Sequence, residues 1–442
     1  MNKLIFIFRD LMLTFKNIFR YYQKFKSIPI VYPLSVVIKN MKNEQLNDNL
    51  VVERINLLIE YATKHVPYYI KNKQMYKKIN DISELSDIPV LLKSTFKEQN
   101  NDFISPECNR WNSFKFRTSG STGTPLRGAI SNNDLQKRFK IFLFALKEEG
   151  IDYSRPLARF PGSEFSKKGK IYRTDFLHKH YLFSIYDLSK EKISHYYTAL
   201  HDKKIEIIEG YPSTIYSLVK LLREAKLTLP YVKHVLTTAE KLLDYQKEEI
   251  ESYFNVKIFD FYGSSEGSVF MFSGKNELYY NSNVIGYLEC VDENYKPVQS
   301  GKSGRMLITS FSSKFTPLIR YDIGDYATIV ENDNGEIKVS EILGRQEEIF
   351  ITPSGHMFGR FSLVLKYLPN SVLESQLELI QKSNKAKLFY VSNERINHNE
   401  FIIFEKKLNE LLNLKFDLEY VQVNTLDKSK RGKLAAVKIV ES

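Results

Sequence analysis

The stretch Thr118-Ser119-Gly120-Ser121-Thr122-Gly123-Thr124-Pro125 sets serine and threonine hydroxyls beside two glycines and contains no large apolar side chain. Such a loop suits phosphate oxygens. Glycine lets backbone approach an anion closely and adopt positive φ, successive N–H groups form an anion-binding concavity, and hydroxyls add donors without adding charge. The spacing G-x-x-x-x-G-K-[ST] is absent. The flanks read as two short strands, Ser113 to Arg117 and Leu126 to Ile130, ahead of a helix beginning near Asn133. A phosphate loop between strands, with no helix directly behind it, points away from P-loop kinases and dinucleotide folds. An ordinary polar hairpin loop would have the same composition.

Four further segments follow in order: Tyr262-Gly263-Ser264-Ser265-Glu266-Gly267, Arg320-Tyr321-Asp322-Ile323-Gly324-Asp325, Gly344-Arg345-Gln346-Glu347-Glu348 and Arg431-Gly432-Lys433. With the first loop, the ordered set resembles the motif series of the adenylate-forming enzymes, the superfamily of acyl-CoA synthetases, luciferases and peptide-synthetase adenylation domains. Within it the wording is most similar to the phenylacetate-CoA ligase branch and its CapK-like members linked to capsular polysaccharide synthesis. Val66-Pro67-Tyr68-Tyr69 and Ile88-Pro89-Val90-Leu91-Leu92-Lys93 match the branch's N-terminal region, so the resemblance covers nearly all of the chain after about residue 50.

The resemblance implies roles. Thr118, Ser119, Gly120, Ser121, Thr122, Gly123 and Thr124 would hold the β- and γ-phosphates of ATP. Glu266 matches the glutamate associated with Mg²⁺, a hard cation that takes oxygen ligands. Asp325 matches the aspartate that accepts from both ribose hydroxyls. Thr238, Ala239 and Glu240 occupy the place of the adenine-contacting strand end, and Tyr262, Gly263, Ser264 and Ser265 line the adenine and acyl-adenylate region. Arg345 matches the hinge arginine that reaches ribose or α-phosphate, and Glu347 falls at the pivot. Lys433 matches the lysine that a small domain delivers to the α-phosphate and the attacking carboxylate as a lid closes. Lys428, Lys430, Arg431 and Lys438 surround it, and Gly432 before it decides the choice. Two departures stand out: Asp322 lies where many members carry a basic residue, and Ser265 replaces a threonine common outside the branch.

These groups need a frame. From residue 203 to 262 apolar runs alternate with helical segments as β-α-β-α-β, the signature of a parallel sheet, with Pro212 at the exit of the first strand and Ser213 able to cap the next helix. Ligands in such sheets sit beyond the strands' carboxyl ends, which here are Glu209-Gly210-Tyr211, Thr237 to Glu240 and Tyr262 to Glu266. After Gly344 come short strands around one helix, Glu400 to Leu412, a small α+β unit behind a charged, glycine-bearing hinge. The expected fold is therefore α/β: an N-terminal segment 1–50, a large domain 51–344 with parallel βαβ sheets, and a small mobile α+β C-terminal lid 345–442.

Composition bounds the rest. The chain has 442 residues, 43% hydrophobic and 13% aromatic, enough for a large core and a smaller satellite. With 64 basic against 52 acidic residues, the net charge of +12 favours anionic partners, but the lysines are scattered and no nucleic-acid motif occurs. Cys108 and Cys290 lie far apart, supporting neither a disulfide framework nor a cysteine-rich zinc site, and a reducing cytoplasm fits. His178 and His180 lack any accompanying ligand spacing. The apolar run Leu4 to Phe8 is broken by Arg9 and Asp10 and is too short to span a membrane. Basic and aromatic residues mixed through Lys26 make either a helix lying on an anionic membrane face or one packed on protein, and both readings stay open.

Three functions follow. The leading one is ATP-dependent activation of a small carboxylic acid through an acyl-adenylate, with AMP and pyrophosphate as products and CoA as acceptor. The second passes the activated acid, without CoA, to a sugar, amine or carrier in surface-polysaccharide synthesis. The third is a nucleotide-binding or membrane-peripheral protein that no longer turns over. The acid itself is not readable from residues 159 to 240, which would build its pocket.

Overall fold

The structure, a computed structural model, describes residues 48–440 apart from 110, 118–125, 162–169, 176–179, 274–277, 334–335, 346–349, 352–356, 359–361, 366, 370, 381–382, 413 and 429–433. The described chain divides into two units, one comprising 48–153 and 261–342, the other 154–260 and 343–440.

In the first unit the helix Asp48–His65 buries Val51, Val52, Ile55, Ile59 and Ala62, a three-and-four spacing that makes one apolar face. Pro67, its φ already helical, starts the helix Pro67–Lys71. There Tyr69 is fully buried, meets Tyr76 and Phe103 edge-on, and donates to the Pro317 carbonyl at 2.9 Å. The Val66–Tyr69 motif is thus a packing element. A sheet runs in the order Gly286–Val291, Ser303–Ser310, Tyr321–Asp333, 336–342, Tyr279–Asn281, Phe270–Ser273 and 261–263. Its registered pairs are antiparallel, so the expected parallel pattern stops at residue 260; consecutive strands pair directly except that 336–342 lies beside Tyr279–Asn281, which leaves Gly286–Val291 at the edge.

Leu91 and Tyr321 form a parallel bridge, with Leu91 N donating to Arg320 O and Asp322 N to Leu91 O, both at 3.0 Å. Arg320 is 2% exposed and has φ +45°. Its guanidinium pairs with Glu289 at 3.0 Å and donates to the carbonyls of Ser86, Ile88 and Tyr295. The Ile88–Lys93 motif therefore anchors the strand that begins at Tyr321.

The strands Ser113–Arg117 and Arg127–Ser131 pair as an antiparallel hairpin in which Arg117 opposes Arg127. Phe116 lies against Gly128, where a Cβ would fall 2.3 Å from its ring, so only glycine admits the ring there. Ser131 Oγ accepts from Asp134 N at 3.0 Å and caps the helix Asn132–Glu148.

In the second unit the strands Leu157–Phe160, His180–Phe183, Ile207–Gly210 and His234–Thr238 are parallel, with Tyr172–Asp175 antiparallel at one edge. The helices Ile193–Asp202, Pro212–Glu224 and Asp244–Phe254 bury Tyr196, Ile215, Leu218 and Ile250 against Ile208 and Val235. One detail departs from the sequence reading. Ser213 does not cap the second of these helices: Pro212 is its first residue, Tyr211 stands at the cap, and the Ser213 N–H is accepted by Glu240. Proline at the first helical position puts the cap two residues earlier than the serine suggests.

Residues after 371 form the expected α+β module: Val372–Ile380 antiparallel to Lys385–Ser392, with Asp417–Gln422 and Val437–Val440 added in parallel. The helix Ile402–Leu412 buries Phe404, Leu408 and Leu412 beneath this sheet. The module shares apolar contacts with the rest of its unit, Leu243 joining its core and Leu373 packing on the core of the parallel sheet.

Candidate active site

Within the first unit two tyrosines stitch two of the sequence motifs together. The hydroxyl of Tyr262, on the strand Ile258–Gly263, donates to Asp325 Oδ2. The hydroxyl of Tyr321 donates to Glu266 Oε1 at 3.3 Å. Residues 262–267 and 320–325, some sixty positions apart in sequence, thus share one patch in which each carboxylate faces a phenol from the other segment.

Glu266 is 5% exposed. A carboxylate so deeply placed needs compensation, and an unpredicted residue stands beside it. Arg138, on the helix Asn132–Glu148, is fixed by Ser312, Nε donating to Oγ at 3.2 Å and Nη2 to the carbonyl. Burial pulls its pKa down to about 10, while the charges of Asp134 and Glu266 act to hold the proton. Gly267, at φ +63°, leaves room for this guanidinium: a Cβ there would sit 1.6 Å from Arg138 Nη1. Tyr321 has its pKa raised well above the ordinary phenol range, first by burial and then by the Glu266 charge, so it stays a donor. Ser264 shapes the turn, its hydroxyl accepting from Ser268 N and its carbonyl from Gly267 N. Gly263 and Ser265 are exposed at the strand's end.

Around Asp325, Gly324 takes φ +79° and a Cβ on it would lie 3.9 Å from Lys93 Nζ. Asp322, the residue that departs from the family pattern, is an internal brace: it pairs with Arg305 Nη1 at 2.8 Å and accepts from Gly324 N at 2.8 Å. The hairpin that carries the hydroxyl-rich loop belongs to this unit too, with Ala129 N donating to Thr316 Oγ1 at 2.9 Å. Thr118 to Thr124 themselves lie outside the described residues.

In the second unit the strand His234–Thr238 ends in Ala239 at φ +72°, left-handed backbone that a non-glycine residue adopts only at a cost of about 1–2 kcal/mol. Glu240 follows, and its carboxylate accepts from Ser213 N at 3.3 Å and from Leu434 N at 2.7 Å. Thr237 Oγ1 donates to Asp260, buried on the neighbouring strand, so Thr237 braces the sheet while Thr238 is half-buried at its edge. Arg159 and Glu209 form an ion pair at the carboxyl ends of adjacent parallel strands, Nε to Oε1 at 2.9 Å and Nη2 to Oε2 at 3.0 Å. Arg345 ends the strand Glu336–Arg345, but its side chain, Glu347 and Lys433 fall outside the described residues.

Comparison with known proteins agrees with this organisation. The chain is 23% identical over 399 residues to Protein CapK of Staphylococcus aureus, with 86% of each chain covered. It is 26% identical over 239 residues to indoleacetate–lysine synthetase of Pseudomonas savastanoi, covering 52% of this chain and 57% of that one. Among solved structures, 2-hydroxyisobutyryl-CoA ligase in the postadenylation state, in complex with an R3-HIB-AMP adenylate, superposes with a TM-score of 0.69 at 18% identity over 89% of both chains. No family model matches. The fold is thus the one found in adenylate-forming ligases, a large N-terminal part followed by a smaller C-terminal one.

Proposed function

We propose, from the premise that this chain belongs to the adenylate-forming superfamily with a CapK-like relative, that it is an ATP-dependent ligase which activates a small carboxylic acid as its acyl-adenylate. The observation that carries the reading is the pair of tyrosine–carboxylate bonds joining residues 262–267 to 320–325, because it brings a magnesium-type glutamate and a ribose-type aspartate into one patch.

The chemistry joins two anions. A carboxylate oxygen attacks the α-phosphorus of ATP, the bond to the bridging oxygen breaks, and pyrophosphate leaves with that electron pair. Positioning and charge neutralisation carry such a reaction. The hydroxyl-rich loop would hold the β- and γ-phosphates, Asp325 the ribose, and the strand end Thr238–Glu240 the adenine. Lys433 would neutralise the α-phosphate and the incoming carboxylate, and Arg345 would steady the same region from the hinge, when the segment 345–442 moves as a lid. Glu266, buried and bonded to a single phenol among the described residues, fits Mg²⁺, which takes one or two protein carboxylates plus phosphate oxygens. When bound, that ion would spread the charge that builds on the phosphates. Tyr321 and Arg138 would hold the carboxylate in place.

For the second half-reaction CoA is the leading acceptor, as in the phenylacetate-CoA ligase branch. CoA-independent transfer to a sugar, amine or carrier of a surface polysaccharide is the second reading, favoured by the two curated relatives, one named CapK and one named for joining an acid to lysine. An inactive, purely binding protein is the least supported, since Glu266, Asp325, Arg345 and Lys433 are all retained. No helix among the described residues is long and apolar enough to cross a membrane. We place the protein in the cytoplasm, and peripheral contact through residues 1–50 remains a proposal on sequence grounds. ATP–pyrophosphate exchange across a panel of carboxylic acids tests the first step: exchange with none of them, in the presence of magnesium, refutes it. Adding CoA, then amines and sugars, to the acid that exchanges separates the two acceptor readings.

A further inference from the structure

Glu266 is buried and yet forms no ion pair among the described residues; its bond there is the 3.3 Å contact from the Tyr321 hydroxyl. The cation beside it directs its donors elsewhere. Arg138 gives Nε and Nη2 to the hydroxyl and carbonyl of Ser312, which is itself fully buried and donates to Ile285 O at 3.3 Å. Asp134, one turn earlier on the same helix, is engaged as well, accepting from the Ser131 hydroxyl at 2.7 Å and from Lys314 N at 3.0 Å. The guanidinium lies where a side chain on Gly267 would begin, the ideal Cβ falling 1.6 Å from Nη1 and 2.2 Å from Cζ. Gly267 follows Glu266 in the chain. A fixed positive charge thus stands next to a buried carboxylate, and each feels the other's field without pairing. Buried carboxylates are ordinarily satisfied by a bonded counter-ion. This one keeps acceptor capacity that a hard cation can use.

We propose that Arg138 makes divalent-metal binding at Glu266 conditional on nucleotide: its seated charge opposes a cation arriving alone, and the phosphate oxygens of ATP supply the negative charge that offsets it. The inference rests on the ligase reading above for what Glu266 binds, and extends it to a residue that decides when the ion binds. The physical cause is repulsion between like charges in a site where water screens little. Magnesium held through one or two carboxylates depends on substrate phosphates for the rest of its ligands, so a nearby guanidinium weakens the free-ion complex further. The same guanidinium attracts the net-negative complex of metal and triphosphate. Arg138 therefore selects metal and nucleotide as one unit, and it favours release of the ion together with pyrophosphate. The Ser312 clamp and the missing side chain at Gly267 keep the charge in place for this.

The test uses the full chain with Mn²⁺ as the probe, free ion being read from its electron paramagnetic resonance signal at about pH 8, where carboxylates are ionised. Without nucleotide, Arg138→Met and Arg138→Gln should each bind Mn²⁺ at least about tenfold more tightly than the parent. Arg138→Lys, which keeps the charge, should stay within about threefold of the parent. Adding Glu266→Gln to either neutral variant should abolish the gain. Affinity for the preformed complex of Mn²⁺ with α,β-methylene-ATP should not rise in the neutral variants, because that complex is attracted by the arginine. Two neutral substitutions are made so that one decides if the other does not fold. No gain in a folded neutral variant, an equal gain in Arg138→Lys, a gain that survives Glu266→Gln, or an equal gain for free ion and complex each overturns the proposal. If the parent exchanges pyrophosphate with no acid, the ligase reading fails, while the Mn²⁺ titrations still decide whether Arg138 guards Glu266.

Discussion

Removing the Arg320 guanidinium tests how the Asp325 strand is held. Arg320 and Glu289 are 2% and 9% exposed at their side chains, and the arginine also serves three carbonyls. Breaking a buried pair by deleting one partner costs about 3–5 kcal/mol, because the other charge is left without compensation. Arg320→Ala should therefore remove about that much from the unit built of 48–153 and 261–342, a large share of a typical 5–15 kcal/mol. Since φ is +45°, Arg320→Gly should be less damaged than alanine by about 1 kcal/mol, which separates backbone strain from charge. The double variant Arg320→Met with Glu289→Leu should regain most of the loss, as apolar replacement of both partners does elsewhere. The pH dependence follows from Glu289, whose carboxyl is held above its usual range by burial, against the pull of Arg320. A raised folded-state pKa gives stability that is present below the unfolded value and is lost as pH rises through the folded one. Without Arg320 that folded value climbs further, so the deficit relative to the parent should be small near pH 4 and widen toward neutrality. Urea unfolding from about pH 4 to 7 measures it. A deficit below about 1 kcal/mol, or one flat in pH, would refute the pairing as described.

Lys433→Ala should lower pyrophosphate exchange by about a hundred- to a thousandfold, the scale of losing one transition-state donor, and leave the equilibrium dissociation constant for ATP within a few-fold; equal loss of both counts against its role. Gly267→Ala should cut exchange at least about tenfold by displacing the Arg138 guanidinium, whereas Gly301→Ala, at φ +83° with nothing within 4 Å of the added carbon, should cost only backbone strain and leave activity alone. Cys290 is buried, donates to the Ala327 carbonyl at 2.9 Å and has its thiol pushed up to about 11, so titration of the native protein at about pH 8 with a chromogenic disulfide should label Cys108 alone, the second thiol appearing only in denaturant.

The frame of the second unit was readable because its strands are near-continuous apolar runs and its helices carry clear boundaries; its C-terminal helix Ile402–Leu412 begins two residues after the expected Glu400, and in the first unit the strand Ser113–Arg117 falls where expected. The cap was misplaced by two residues because Ser213 offers a hydroxyl while Pro212 offers only geometry. The antiparallel part of the sheet after residue 260 was not anticipated, since the motifs at 262–267 and 320–325 draw attention to chemistry and away from the strands that carry them. Glu266 and Asp325 were found by their neighbours in sequence. Arg138 and Tyr321 act on them across long separations: in a helix reading Asn132 to Glu148, Arg138 is one of several basic residues, and nothing local marks it as the one turned inward. Asp322 looked like a departure until Arg305 supplied its partner from another strand.

The unit that holds Glu266 and Asp325 is assembled from two stretches with the whole of 154–260 between them. During synthesis the residues that pair with Leu91 and roof Tyr69 have not yet been made when 48–153 leaves the ribosome. At roughly 5–20 residues per second, the remaining stretch to 342 takes roughly 10–40 s. For that interval the apolar stripe of Val51, Ile55 and Ile59 has no sheet to lie on. The first third of the nascent chain is thus a natural client for holdase chaperones, whereas the parallel strands within 154–260 are made in one uninterrupted stretch.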